Sequence, residues 1–316
     1  FASKYSSKFC NPFIWPGIQF MQYRTFHPIL HAHKILTSKF NDEDLLQLVR
    51  RVIIDWRVFC CDFAVNSRSH IILSTKDKIT VIYSTGECEN VIFPNTSESN
   101  VVKLYRKSIA VDSNNNVYVV TWRKTHDNDG SFKYEFVLYV FDEGYKMKLV
   151  SCLNFLETEE FKDVKVAVDQ NENLIIITSW NNQVYVCNNT GKLKFQFERD
   201  GGIIRSLDIS NNNDIMIALD DHRTVKIYST EGKLKSTINV PEDHEVIEVA
   251  FHHGIGKILI ITYVRKHDSW FLLGSSVTGE LENPMFLSRS RWGVNMKSHS
   301  SGAFAVAVGE SITFIN

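Results

Sequence analysis

The sequence predicts an all-β protein: a six-bladed β-propeller of four-stranded antiparallel blades, with an N-terminal extension containing a short helix. Two observations carry this. Residues 203–240, IIRSLDISNNNDIMIALDDHRTVKIYSTEGKLKSTINV, hold four short apolar runs, at 203–209, 214–219, 224–228 and 234–240, separated by NNN, DDHR and STEG. The separators are turn compositions, because Asn and Gly accept positive φ cheaply and Asp and Ser side chains fold back onto the backbone. One such sheet would leave both faces wet, so it needs neighbours of like build. The second observation is that the sequence supplies them.

Aligned on the turn after the first strand, the copies read DFAVNSRSHIIL (62–73), SIAVDSNNNVYVV (108–120), KVAVDQNENLIII (165–177) and SLDISNNNDIMIA (206–218). More worn copies are EVAFHHGIGKILII (248–261) and GVNMKSHSSGAFAVAV (293–308). The equivalent positions are Asn66, Asp112, Asp169, Ser210, His252 and Lys297, spaced 46, 57, 41, 42 and 45 residues apart. A period of about 40 to 50 residues with four strands per unit is that of a β-propeller, and six copies imply six blades. An open sandwich lacks such a period.

The units resemble the NHL repeat, whose pattern runs from a small-apolar-Asp segment through a polar turn to an apolar strand, then to a strand ending in an aromatic and a Gly turn. Here the first half is AVDSNNNVYV (110–119) and AVDQNENLII (167–176). The second half is RTVKIYSTEGKLK (223–235) and NQVYVCNNTGKLK (182–194). The match is clear in units two to four, and units five and six depart from it. WD-repeat signatures are absent. The resemblance extends to the C-terminal propeller of TRIM-NHL proteins, where the propeller selects a target while other domains ubiquitinate it.

Taken in order, the chain divides into an extension, 1–57, and a propeller, 58–316. Residues 1–40 fit no repeat and are rich in aromatics (Phe9, Phe13, Trp15, Phe20, Tyr23, Phe26) beside Lys4, Lys8, Arg24, Lys34 and Lys39. They read as a segment packed along strand edges, with a basic-aromatic binding arm as the functional reading. NDEDLLQLVRRV (41–52) reads as the short helix. Asn41 or Asp42 can cap it, carboxylates occupy its first turn, and Leu45, Leu48, Val49 and Val52 share a face. The last unit shows only three strands, so the N-terminal side is expected to supply the fourth and close the ring. The candidates are 35–40, which is preferred, and 51–54.

At 316 residues and 44% apolar composition the chain can bury a large core, and its formal charge of −1 gives no global field toward nucleic acid or anionic membrane. No apolar run is long enough to span a bilayer. Cys10, Cys60, Cys61, Cys88, Cys152 and Cys187 lack metal-type spacing and fit free thiols of a reduced, cytoplasmic compartment. The chain begins with Phe, so a missing upstream domain is left open. Asn95-Thr96-Ser97 and Asn188-Asn189-Thr190 are sequons of a kind that arises by chance.

Two units carry insertions between their second and third strands. RKTHDNDGSFKYE (123–135) predicts a projecting hairpin turning at Asn128-Asp129-Gly130, and RKHDSW (265–270) is the other. In a propeller this turn shares one face with the links between blades. That rim gathers Arg265, Lys266, His267, Trp270, Arg289, Arg291 and Trp292 at the fifth unit, with Arg123 and Lys124 on the second. Arginines beside indoles suit holding acidic peptide motifs or stacking on bases. This is the expected partner-binding patch.

No catalytic constellation stands out. Asp62, Asp112, Asp169 and Asp208 invite a channel-metal reading of the lactonase type. Asp112 and Asp169, however, occupy the NHL turn position, where a carboxylate satisfies turn amides. His252 and His253 invite zinc, yet neighbours on a strand diverge and no third ligand has recognisable spacing. No nucleophile-elbow pattern surrounds any Ser. The reading is therefore a non-catalytic module without cofactor, recognising a protein partner as the target-recognition part of a ubiquitin ligase would. The alternatives are a single-stranded RNA reader using the fifth-unit patch and a metal-dependent hydrolase. Protein is favoured over RNA because the strong positive charge that phosphate binding demands is missing.

Overall fold

The computed structural model describes residues 49–53, 62–74, 78–83, 87–93, 101–126, 132–156, 164–178, 182–199, 201–202, 204–219, 223–289, 294–308 and 311–315. The first strand is β1 (Val49–Ile53). Blade one is β2 (Phe63–Val65), β3 (Ile71–Ser74), β4 (Lys78–Ile82) and β5 (Cys88–Ile92). Blade two is β6 (Val101–Val111), β7 (Val117–His126), β8 (Phe132–Phe141) and β9 (Met147–Cys152). Blade three is β10 (Val164–Val168), β11 (Leu174–Thr178), β12 (Gln183–Cys187) and β13 (Leu193–Glu198). Blade four is β14 (Ile204–Ile209), β15 (Ile215–Leu219), β16 (Thr224–Tyr228) and β17 (Leu234–Asn239), within a residue of the runs read from the sequence. Blade five is β18 (Glu245–His252), β19 (Lys257–Val264), β20 (Ser269–Ser275) and β21 (Met285–Ser288). The chain ends with β22 (Val294–Ser298), β23 (Phe304–Val308) and β24 (Ser311–Ile315).

All six four-stranded sheets are antiparallel. Five are made of consecutive strands. The sixth is composite, in the order β1-β24-β23-β22. β1 runs antiparallel to β24 with Val49 opposite Ile315 and Ile53 opposite Ser311. The closing strand is therefore 49–53, overlapping the second sequence candidate rather than the preferred 35–40, which lies outside the described residues. The same strand replaces the C-terminal end of the expected helix, whose remainder is also outside them. β24 would otherwise leave a row of unpaired backbone groups, and β-branched Val49, Val52 and Ile53 suit an extended chain, so pairing overrides helical patterning. Among the described residues the helical element is a 3-10 turn, Arg265–His267.

The cores lie between sheets. Ile72, Val81 and Phe93 of blade one pack on Val117, Val119 and Tyr139 of blade two. Met216, Val225 and Ile238 of blade four meet Phe251, Ile258 and Leu273 of blade five. Phe63, Ile71 and Leu73 of blade one pack on Ala303, Ala305 and Ala307 of the composite sheet, which shuts the ring. Middle strands are buried throughout, as in β11 and β15, because both of their faces are covered. Blade two extends beyond the others: β7 and β8 pair from Val117↔Phe141 out to His126↔Phe132. This is the hairpin expected at 123–135, with its tip outside the described residues.

Turn chemistry follows the repeat. Asp112 Oδ1 accepts the backbone N–H of Asn114 at 2.9 Å and of Asn116 at 2.8 Å, and its Oδ2 accepts the Tyr118 hydroxyl. Asp169 does the same for Asn171 and Asn173. The Asn116 and Asn173 side-chain amides bond Oδ2 of Asp112 and Asp169, so both oxygens of each carboxylate are taken within its own repeat. In the composite sheet the equivalent residue is His299, whose N–H meets the Ala303 carbonyl, and not Lys297 as the alignment placed it. That unit lacks an Asp to mark its turn, so the register slipped by two.

Candidate functional site

The first strand of each sheet, β2, β6, β10, β14, β18 or β22, is its innermost, and its free edge faces the axis. Free-edge N–H groups need acceptors. At three places the acceptor is a side chain two or four residues before a turn, Asp62, Ser108 or Asp208, because a period of two puts both positions on the face toward the next sheet. The outer of these levels is Ala64, Ala110, Ala167, Asp208, Ala250 and Lys297, small where the wedges converge except at Asp208 and Lys297. The other is Asp62, Ser108, Lys165, Ser206, Glu248 and Asn295.

These residues form a belt around the axis. Asp62 Oδ2 accepts the Ser108 hydroxyl at 2.9 Å and the Ile109 N–H at 3.3 Å. Ser108 Oγ accepts the Val166 N–H at 3.0 Å. The Ser206 hydroxyl donates to Glu248 Oε1 at 2.8 Å, and Asp208 Oδ2 accepts the Phe251 N–H at 2.8 Å. Lys297 then joins three sheets, with its Nζ 3.1 Å from Glu248 and 3.4 Å from Asp62.

The electrostatics are correspondingly strong. Burial would raise Asp62, but Lys297, Lys165 and the Ser108 hydroxyl outweigh it and hold the carboxyl below its usual range. Burial likewise opposes the charge of Lys297, yet Asp62, Glu248 and Asp208 keep the ammonium charged and push it upward. At Asp208 burial outweighs the Phe251 and Ile209 N–H groups and Lys297, and pushes the carboxyl up to about 6.

One mouth of the passage is capped by histidines. His299 Nδ1 accepts the Ser301 N–H at 3.1 Å, which puts its proton on Nε2, and Nε2 meets the Asp112 carbonyl of blade two at 2.9 Å. Burial lowers His299, and burial together with His299 pushes His253 down to about 4. Both imidazoles are neutral at pH 7. The space left among Asp112, Asp169, Asp208, His253, Lys297 and His299 is about 70 Å³. Among the described residues no group of three His, Cys, Asp or Glu is placed to hold a metal ion. His252 stacks on Phe304 with centroids 4.9 Å apart while His253 meets Asn211, so the histidine pair diverges.

The rim patch is only partly assembled. Arg265, Lys266 and His267 form the exposed 3-10 turn after β19. Arg265 pairs with Glu245 at 2.9 Å. Trp270 is 8% exposed and belongs to the core between blade five and the composite sheet, with Tyr263 at 4.9 Å. It offers no open stacking face. Arg289 is exposed after β21, whereas Arg291 and Trp292 lie outside the described residues. Arg123 and Lys124 stand on blade two, which does not adjoin blade five. Arg123 is held by Glu135 at 2.8 Å, and Lys124 lies 5.7 Å from the Tyr134 ring, itself stacked on Trp122. Sequence reasoning missed Ser108, Ser206, Glu248 and Lys297, although the spacing two and four residues before each turn carries that signal.

Among the described residues no helix is long and apolar enough to cross a membrane. No family model matches the sequence, and no curated protein matches it. Solved structures do resemble the fold. Virginiamycin B lyase from Staphylococcus aureus gives a TM-score of 0.53 at 9% identity over 85% of this chain and 98% of that one. A streptogramin B lyase gives 0.55 at 9% over 85% and 97%. The Neurospora crassa Pan2 WD40 domain gives 0.52 at 12% over 80% and 73%. At such identities the likeness establishes the fold alone: this chain is an all-β propeller of four-stranded antiparallel blades.

Proposed function

We propose that the chain is a non-catalytic binding module, an NHL-like propeller that recognises a protein partner, as the target-recognition part of a ubiquitin ligase does. The observation that carries this reading is the occupied axis. Small-molecule sites enclose about 300–1,000 Å³, and the space at the histidine-capped mouth is about 70 Å³, with Lys297 bonded to Asp62 and Glu248 and His299 to Asp112 across the sheets. The surface left for recognition is the loops. On the rim, Lys266 and Arg289 are exposed cations beside the exposed His267, and Arg265 is an exposed member of an ion pair that a stronger acidic partner can displace.

The test is affinity capture on the full chain, wild type against Arg265→Glu/Lys266→Glu/Arg289→Glu, with recovered proteins identified by mass spectrometry. A protein recovered by wild type and lost from the folded variant is the expected result. Identical recovery removes the rim from the reading. Salt-titrated binding of a single-stranded oligoribonucleotide runs beside it, and a steep salt slope abolished by the same substitutions would replace protein by RNA.

A further inference from the structure

The face opposite the rim, made of the turns after first and third strands, carries a groove between blades two and three. Its volume is about 630 Å³, within the range of sites that accept a side chain and its flanking backbone. The floor is apolar: the Tyr118 ring, Val140 and Leu149. The walls are acidic, with Asp142 and Glu143 from the turn of blade two and Glu172 from the first turn of blade three.

How these carboxylates are held matters more than their number. Glu172 has a left-handed backbone, φ 59°, and its two oxygens accept the side-chain amides of Asn114 at 2.6 Å and Asn189 at 3.1 Å. Asp142 Oδ1 accepts the N–H groups of Gly144 and Lys146 at 2.9 and 2.8 Å. Neutral donors fix both groups in place and leave their charge uncancelled. Glu143 pairs with Arg68 on the side away from blade three. The cation of the lining, Lys148, is turned to the Asn116 amide oxygen at 3.3 Å. A preorganised carboxylate pair over an apolar floor complements a side chain with a methylene stem and a cationic head.

We propose that this groove docks a basic segment of a partner protein, with an arginine or lysine stem on Leu149 and Val140 and its head against Glu172 and Asp142. The proposal rests on the protein-recognition reading above and adds a second, oppositely charged contact surface. The probe is a fluorescent nonapeptide of Gly and Ser carrying two Arg residues, with a control carrying two Glu residues at the same places, titrated onto the full chain at two salt concentrations. The Arg peptide is expected to bind and the Glu peptide not. Glu172→Gln/Asp142→Asn should weaken binding at least tenfold, and Lys148→Gln should tighten it severalfold. Equal binding of the two peptides overturns the proposal, as does an unchanged affinity in either variant. Arg265→Glu/Lys266→Glu lies on the other face and should leave the peptide affinity within twofold. Failure of the peptide therefore sinks the groove alone, while the rim capture decides the wider reading.

Discussion

Asp62, just before β2, and Asp208, on β14, both lie near the axis, and their surroundings drive them in opposite directions. Asp62 is depressed by Lys297, so its contribution to stability is present above its ordinary value and lost as the pH falls through its lowered one. Asp208 is raised to about 6, so its protonated form favours the fold. That contribution is complete below its ordinary carboxylate value and is lost as the pH rises through about 6. Asp208→Asn keeps an acceptor for the Phe251 N–H and should remove the fall in stability between pH 4.5 and 7, measured as urea midpoints across that range. Lys297→Met should be far more damaging, about 3–5 kcal/mol by denaturant titration, because it removes the ion-pair partner of both Glu248 and Asp62 and leaves Asp62 only the influence of Lys165. Adding Asp62→Asn and Glu248→Gln should recover much of the loss. Of these residues Asp62 and Asp208 were singled out from sequence as metal candidates, and Lys297 as a turn position. A lone Lys inside an apolar run gives no sign of which blades it will join until the ring is closed. The turn role of Asp112 and Asp169 was legible because it is local: each carboxylate serves amides two and four residues away.

At the scale of elements, the four-strand unit was legible because turn and strand chemistry alternate at short range. Where composition was ambiguous, the reading failed. VRRVI satisfies a helical face as well as a strand, and only the unpaired edge of β24 decides between them. The turns between third and fourth strands show a second constraint. Gly232, at φ 85°, lies so close to the Phe197 ring of the neighbouring blade that an added Cβ would be 2.4 Å from its Cγ. Gly256, at φ 67° in the first turn of blade five, has open space where a Cβ would lie. Gly256→Ala should therefore cost only the left-handed backbone penalty, about 1–2 kcal/mol. Gly232→Ala should cost clearly more, since the blade contact must also give way, and paired thermal-denaturation curves will separate the two.

At the scale of the whole molecule, stability depends on closure. Each blade buries its faces against the next, and among the described residues the composite sheet is where strands from the two distant ends of the sequence pair. Deleting residues 1–53 should expose the β24 edge, lower the unfolding midpoint by several degrees and promote association through strand pairing, seen as a concentration-dependent shift in light scattering. The seam has a further consequence. Val49 and Ile315 face one another across β1 and β24, so the segment 49–315 already almost closes a loop in space. A short tether between those positions, with new termini cut between blades three and four, should give a permuted chain with the same fold and a different order of assembly. Such a permutant would present its former junction as an ordinary hairpin, making it possible to ask how much the route to the ring depends on where the thread is opened.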